Sequence, residues 1–453
     1  MCKIMLLLIV FLLSGCVSKS ISQKENNSYT MDFIVEHVRL ITMLDTTILF
    51  DSAVVVNQGK IVKIIKQKDA HKIRARQRIN GENRYLMPGL ADMHVHVRWE
   101  PQKMFNLFLA NGVTTVVNMR LEDGDYDHLA LRDKINIGEI NGPRYFLSGQ
   151  HLEGDFPGNL QEVDRVLDDH VDKRIDFVKV HGDLNPDIFN AIIAGAKKRG
   201  LKVVGHAQHK MPLKNSLVLD SLEHIEEFLY TARDEATAKK LADDFLPTYR
   251  ENVQNLRDEH YRKKVVEDVA ASGIYLDPTL IVYKMVGIWQ SDEHLAQLKN
   301  DPDLGYLSAQ VRDYWLSPTT NPYQEEGFPI TKSEVDKNLQ LMMLLTKEFH
   351  DKGVSLLSGT DTFGTLVPGI SLHDELKLLV DAGLSPFEAL RCSTVNVAAY
   401  LGESKYAGTI EVGKRADFTL LDKNPLTDIN NSRSVKGVFI HGRWLTRDSL
   451  LKN

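Results

Sequence analysis

With 453 residues, the chain is long enough for one large barrel with an accessory domain, or for two or three ordinary domains. Its 43% hydrophobic and 26% charged residues supply a sizeable core and exclude disordered and collagen-like classes. A formal charge of −6, without any basic stripe, gives no electrostatic case for nucleic acid as a partner.

The first stretch, "MCKIMLLLIVFLLSGC", carries Lys3, an apolar core from Ile4 to Leu13, and small residues before Cys16, so residues 1–15 read as a signal peptide. An apolar core of about ten residues crosses roughly half a bilayer, and a spanning helix is not expected. "LSGC" resembles a bacterial lipobox, in which Cys16 becomes the lipidated first residue of the mature chain. On that reading the protein is exported and held to a membrane by a lipid at Cys16, on the periplasmic or cell-surface side; a plain signal peptide is the alternative. Residues 16–31 are polar and aperiodic and read as a tether. Cys2 leaves with the signal and Cys16 carries lipid, so Cys392 is left alone and no disulfide framework is expected.

Residues 32–87 are rich in β-branched side chains, with a turn at Asn57-Gln58-Gly59, and read as short antiparallel strands. Residues 406–453 have the same texture. Both chain ends are therefore expected to build one small β-sandwich domain. Between them, over 88–405, short apolar runs alternate with amphipathic stretches such as "PDIFNAIIAGAKKRG". The runs are "ADMHVHV", "VTTVVNM", "PRYFLSG", "DFVKVHG", "LKVVGHA", "LDSLEHI", "GIYLDPTL" and "VSLLSGTD". Eight of them fit an α/β fold of the (β/α)8 TIM-barrel kind better than a doubly wound sheet, which stays the competing topology. An aromatic, Pro-marked interruption at about 281–335 reads as an insertion over the barrel mouth.

His94 and His96 sit two apart in the first run, so on a strand both imidazoles enter the same space. "DFVKVHGD" sets Lys179 in the middle of the fourth, flanked by Val178 and Val180. An ammonium pointing into a barrel needs a partner or a chemical change that removes its positive charge. His206 ends the fifth run, His224 the sixth and Asp361 the eighth. Taken singly, each histidine reads as well as a core or surface residue. Jointly, four imidazoles, a lysine and a carboxylate at the ends of barrel strands are a ligand set for divalent zinc and its neighbours.

These motifs, with "MPGLADMHVHV", "DAGLSPFEALRCSTVNVAAYLG" and "AGTIEVGKRADFTLLDKNPLTD", resemble the amidohydrolase superfamily over essentially the whole chain after the tether. The resemblance is strongest to the branch of Xaa-Pro dipeptidases and imidazolonepropionases. It implies two divalent metal ions, zinc by ligand type, bridged by a carbamate that carbon dioxide forms on Lys179. His94, His96 and Asp361 would hold one ion, and His206 and His224 the other. It further implies a hydrolase that cleaves an amide C–N bond, in dipeptides or N-acyl amino acids, by attack of a hydroxide bridging the metals, with Asp361 as the proton shuttle. No Ser or Cys nucleophile is expected: Cys392 has core spacing, and no G-x-S-x-G elbow occurs. Opening of a cyclic amide is the alternative activity, and a non-catalytic binding lipoprotein the more distant one. A deaminase normally uses one metal without the lysine. The resemblance makes His151, after the third run, a candidate substrate contact. Tyr230, after the sixth, is a candidate for a substrate carbonyl or carboxylate, with packing as its alternative; His373 reads as a helix cap or a pocket residue. The chain departs from the family pattern after His224, where "IEEFLY" replaces the usual Gly, and that loop shapes the substrate pocket in relatives. A homo-oligomer is left open.

Overall fold

The computed structural model of the chain describes residues 30–121, 126–231, 245–324 and 329–452. The expected signal peptide, Cys16 and nearly all of the tether lie outside them. Among the described residues, no helix is long and apolar enough to cross a membrane.

Both chain ends meet in one sheet. Strands β1 (Met31–Ile41), β2 (Ile48–Asn57), β3 (Lys60–Lys66) and β4 (Ala75–Pro88) come from the N-terminal part. Gln58 and Gly59 both take left-handed φ values, 51° and 69°, which is the turn that suits the twist of the β2–β3 hairpin. The helical turn Gln67–Lys72 then carries the chain back beside the start of β1, where Met31 N donates to Arg74 O at 2.8 Å. This return makes β4 parallel to β1, where antiparallel strands were expected. At the Glu36/Val38 irregularity, Gly81 lies so close to β1 that a Cβ there would stand 2.4 Å from Val38 Cγ1.

The expected sandwich of two sheets is a single seven-stranded sheet among the described strands. Its cause is that β4 pairs on both edges: one edge runs along β1, and on the other Tyr85–Pro88 pair with a C-terminal strand. That strand is β12 (Phe418–Leu421), followed outward by β13 (Val435–Ile440) and β14 (Arg443–Thr446). Phe33, Val35, Val54, Phe418 and Phe439 share one apolar cluster, while Ile34, Ala53 and Val55 pack with Ala70 in another.

The middle of the chain alternates strand and helix. Strands β5 (Leu90–Val95), β6 (Val113–Asn118) and β7 (Arg144–Leu147) form one parallel sheet. A second contains β8 (Phe177–Val180), β9 (Lys202–Gly205), β10 (Ser221–Glu223) and β11 (Tyr275–Asp277). Parallel bridges Ser148 to Phe177 and Leu152 to Val180 join β7 to β8. The eighth apolar run is not a regular strand, yet it bonds on both sides: Leu357 N to Leu276 O at 2.7 Å, Met93 N to Ser358 O at 2.9 Å, and Asp361 N to His94 O at 2.7 Å.

Helices follow these strands and cover them. The "PDIFNAIIAGAKKR" pattern forms the helix Pro186–Arg199, with Pro186 in its first turn, an Asn185 side-chain cap and Gly200 at φ 70° as its stop. Its Ile188, Phe189, Ile192 and Ala196 are buried at helical spacing. The 281–335 stretch is largely helical in its described part. Helix Leu280–Trp289 follows β11 directly, because Leu280 N and Ile281 N donate to the Glu375 carboxylate at 3.0 and 2.7 Å. Helices Asp292–Leu298 and Ala309–Leu316 follow before the long helix Lys332–Asp351.

Candidate metal centre

The carboxyl ends of the parallel strands carry the chemistry. All six residues of β5 are buried, His94 among them, and His96, one residue past its end, is buried as well. The rings of His94 and His96 are 5.5 Å apart, and those of His94 and His224, and of His206 and His224, 4.7 Å apart. Asp361 joins them from the eighth run: its Oδ1 lies 2.8 Å from His96 Nε2 and 3.5 Å from His94 Nε2, and its Oδ2 lies 4.0 Å from His224 Nε2. His94, His96 and Asp361 offer ligand atoms within 4.8 Å of one another, the spread a single ion can bridge.

Backbone geometry over-determines this convergence. His224 and Asp361 both take left-handed φ values, 67° and 46°, which L residues hold only when their surroundings enforce it. Asp92, fully buried, supplies part of the enforcement: its Oδ1 accepts from Thr360 N at 3.0 Å and its Oδ2 from Thr360 Oγ1 at 2.7 Å, pinning the eighth run against β5. Gly359 is required there, since a Cβ would sit 2.1 Å from Asp277 Oδ2.

The histidines are oriented by partners that the sequence reading missed. His94 Nδ1 meets Glu223 Oε2 at 3.0 Å, His206 Nδ1 meets Glu227 Oε1 at 2.7 Å, and His224 Nδ1 meets Thr279 Oγ1 at 2.8 Å. An Nδ1–H donated outward leaves each Nε2 as a lone-pair donor to the centre, the arrangement that orients metal-ligating histidines. The other oxygen of Glu227 meets His209 Nε2 at 2.7 Å, and His181 stacks on His206 at 3.9 Å. Strand alternation would send Glu223 away from His224; the left-handed backbone at His224 is why both reach the interior. The only signal in the sequence was a Glu beside the histidine at the end of an apolar run.

Burial sets the charge states. It drives His94 and His206 far below the usual imidazole range and His224 to about 3, so all three are neutral acceptors at ordinary pH. For Asp361, burial pushes upward but the surrounding imidazoles outweigh it, leaving the group well below the usual carboxylate range and ionised. Lys179 is 0% exposed, and its Nζ has no hydrogen-bond partner. Burial lowers its pKa, against the pull of Glu223, Asp361, Asp277 and Glu227. An ionised carboxylate, neutral imidazoles with inward lone pairs, and an orphaned buried amine form a donor set that fits divalent metal ions.

The second group of candidates separates. The His151 ring is 6.3 Å from His96 and 6.0 Å from His181, with Nε2 at 3.1 Å from Met119 O. Burial first, then the charge of Lys179, lower it to about 2. Tyr230 ends a short helix beyond His224 and stacks on Tyr249 at 5.3 Å. His373 belongs elsewhere: its Nδ1 meets Ser432 Oγ at 2.8 Å and its Nε2 meets Asn111 O at 3.1 Å, so neither the capping nor the pocket expectation holds. His373 lies in the first turn of the helix Ile370–Asp381, which packs that ring against the helical turn Ile429–Arg433. Cys392 is buried and its thiol is pushed up to about 12, as a core residue's would be.

Strand ends that gather histidines, a lysine and an aspartate at the centre of an α/β fold form a candidate metal site. Residues 85–445 match the amidohydrolase family, and the chain belongs to that family. Among curated proteins, it is 30% identical over 87 residues to an adenine deaminase of Oleidesulfovibrio alaskensis, covering 19% of this chain and 15% of that protein. It is 34% identical over 98 residues to an imidazolonepropionase of Thermoplasma volcanium, covering 21% and 24%. The matched stretches therefore span less than a quarter of either relative. Among solved structures, a Xaa-Pro dipeptidase with methionine in its active site shares the fold, with a TM-score of 0.66, 18% identity, and 91% and 99% of the two chains covered. A prolidase complexed with N-methylphosphonate-L-proline gives a TM-score of 0.64, 19% identity, and 92% and 99% coverage.

Proposed function

We propose that this chain is a metal-dependent hydrolase of amide C–N bonds, acting on dipeptides or N-acyl amino acids. The observation that carries the reading is Lys179: a fully buried amine without a hydrogen-bond partner, in electrostatic reach of His94, His206, His224 and Asp361. Neutral Lys179 Nζ adds to carbon dioxide, forming an N–C bond and releasing a proton, and the resulting carbamate resolves the burial problem by becoming an anion among cations. His94, His96 and Asp361 would hold one ion, His206 and His224 the other, and the carbamate both. Two bound ions, zinc by ligand type, would supply an activated water and polarise the amide carbonyl. Asp361, ionised and 2.8 Å from His96 Nε2, is placed to take the proton of the attacking water and pass it to the leaving nitrogen. His151, beside His96 and His181, serves in this reading as a substrate contact, as does Tyr230. The two parallel sheets and the eighth run are read as one (β/α)8 barrel, supported by backbone bonds from 354–361 to both β11 and β5. Export and a lipid at Cys16 belong to the same proposal; Cys16→Ser should release the protein from the membrane fraction, and unchanged partitioning would remove the anchor.

The similarity to an imidazolonepropionase favours one second reading, opening of a cyclic amide by the same residues. A panel of dipeptides, N-acyl amino acids and cyclic amides, screened with zinc-loaded protein beside Lys179→Met, tests both. The substitution is expected to abolish turnover and reduce bound metal to one ion or less by elemental analysis. Two retained metals with normal rates would end the bridging role.

A further inference from the structure

Thr279 stands where a threonine normally caps a helix, and it does not cap one. It is the residue before the helix Leu280–Trp289, and at that position a side-chain oxygen ordinarily accepts from the open N–H groups of the first turn. Thr279 makes no such bond. Its Oγ1 lies instead 2.8 Å from His224 Nδ1. The open N–H groups are met by another residue: Leu280 N donates to Glu375 Oε1 at 3.0 Å, and Ile281 N to Glu375 Oε2 at 2.7 Å. Glu375 comes from the helix Ile370–Asp381, 95 positions beyond Leu280, and is 0% exposed.

The backbone shows that this exchange is held at a cost. Thr279 is buried at φ 45° and ψ 41°, left-handed values that a β-branched residue takes only when its surroundings enforce them. Enforcement comes from both sides. His224 N donates to Asp277 O at 2.9 Å and Ile225 N to Pro278 O at 3.0 Å, which ties the two residues before Thr279 to those that follow β10. Glu375 ties down the two residues after it. Without the oxygens of Glu375, the acceptor nearest in sequence to the open amides is the Thr279 hydroxyl, and turning to them takes it off His224.

We infer that Glu375 is a positioning residue of the metal centre: it takes over the capping of helix Leu280–Trp289, which releases the Thr279 hydroxyl to fix the ring of His224. The inference rests on the hydrolase reading, in which His224 holds one of the ions, and adds to it a residue that acts through Thr279. The two amides need acceptor oxygen from Glu375, which a carboxyl supplies whether ionised or protonated, so the role does not hang on its charge.

A double-mutant cycle in zinc affinity, read by chelator competition, separates positioning from support of the fold. Thr279→Val keeps the shape of the side chain and removes its hydroxyl; zinc affinity should fall about tenfold or more, while Thr279→Ser should stay within about threefold of the wild type. Glu375→Leu should also lower affinity about tenfold, yet added to Thr279→Val it should cost less than about twofold more, since the hydroxyl through which it acts is already gone. Wild-type affinity in Thr279→Val, an equal loss in Thr279→Ser, or two losses that multiply in the double variant overturns the inference. So does a Glu375→Leu protein that melts at lower temperature without metal but keeps its zinc affinity, because Glu375 would then be a cap and nothing more. Should Glu375→Leu fail to fold, Glu375→Asp, one methylene shorter, carries the cycle: a loss of about threefold or more that vanishes beside Thr279→Val supports the inference, and no loss overturns it. Wild-type protein that takes up no zinc ends both readings, whereas an intact cycle without cleavage of any amide ends the hydrolase reading alone.

Discussion

The terminal sheet and the strand ends of the middle region both contain charged side chains, and they treat them in opposite ways. On the sheet, Arg78 on β4 grips Glu36 on β1 through two bonds, at 2.8 and 2.7 Å, with the arginine 40% exposed. At the metal centre Lys179 Nζ and both carboxylate oxygens of Asp277 are buried with no hydrogen-bond partner, and burial raises Asp277 while lowering Lys179. Water and a neighbour satisfy the first pair whether or not the protein has a ligand. The second set has no hydrogen-bond partner among the described residues. Unpaired buried charge therefore marks the place where the fold is incomplete by itself, and paired surface charge marks where it is indifferent.

Lys179→Met gives this contrast its largest test. Turnover should disappear, yet the metal-free protein should gain roughly 1–3 kcal/mol in chemical denaturation, since an unpaired amine gives way to an apolar chain of similar length. A destabilised metal-free variant would show that Lys179 serves the fold and not the site. Glu227→Gln comes next: His206 keeps a partner without charge, and zinc affinity, read by chelator competition, should fall about 10- to 100-fold. Unchanged affinity would make Glu227 a packing residue. His373 tests buried titration away from the metal. Burial holds it near 3, whereas an unfolded histidine titrates near 6.5, so its contribution is whole above about pH 6.5 and is lost progressively as pH falls toward 3. Below about pH 6.5 the melting curve should lose roughly 1.4 kcal/mol per unit on this account, and His373→Asn should flatten the slope. An unaltered slope would assign the acid sensitivity to other groups. The smallest effect belongs to the sheet: Arg78→Ala should shift stability by less than about 1 kcal/mol, with no change in bound metal.

Much of the candidate centre was legible because its residues sit in or at the ends of apolar runs, where local alternation and hydrophobicity already mark a strand. His94, His96, His206, His224 and Asp361 are read this way and Lys179 from its place in the middle of a run; in the structure His94, His96 and Asp361 offer atoms within 4.8 Å of one another, with His224 beside His94. His373 shows the limit: the same kind of reasoning left it a chance of facing the pocket, and the fold gave it to Ser432 and Asn111 instead.

What the sequence determined by itself is thus the set of chemical groups and the alternation of strand and helix that carries them, since both are written within a few residues of each position. Only the tertiary structure decided which partners orient those groups. Glu223 stands 129 positions from His94, and Thr279 stands 55 from His224. It likewise decided that the chain ends merge into one sheet and that Glu375 caps the helix after Thr279, because pairing and burial across such separations depend on the packing of the whole chain.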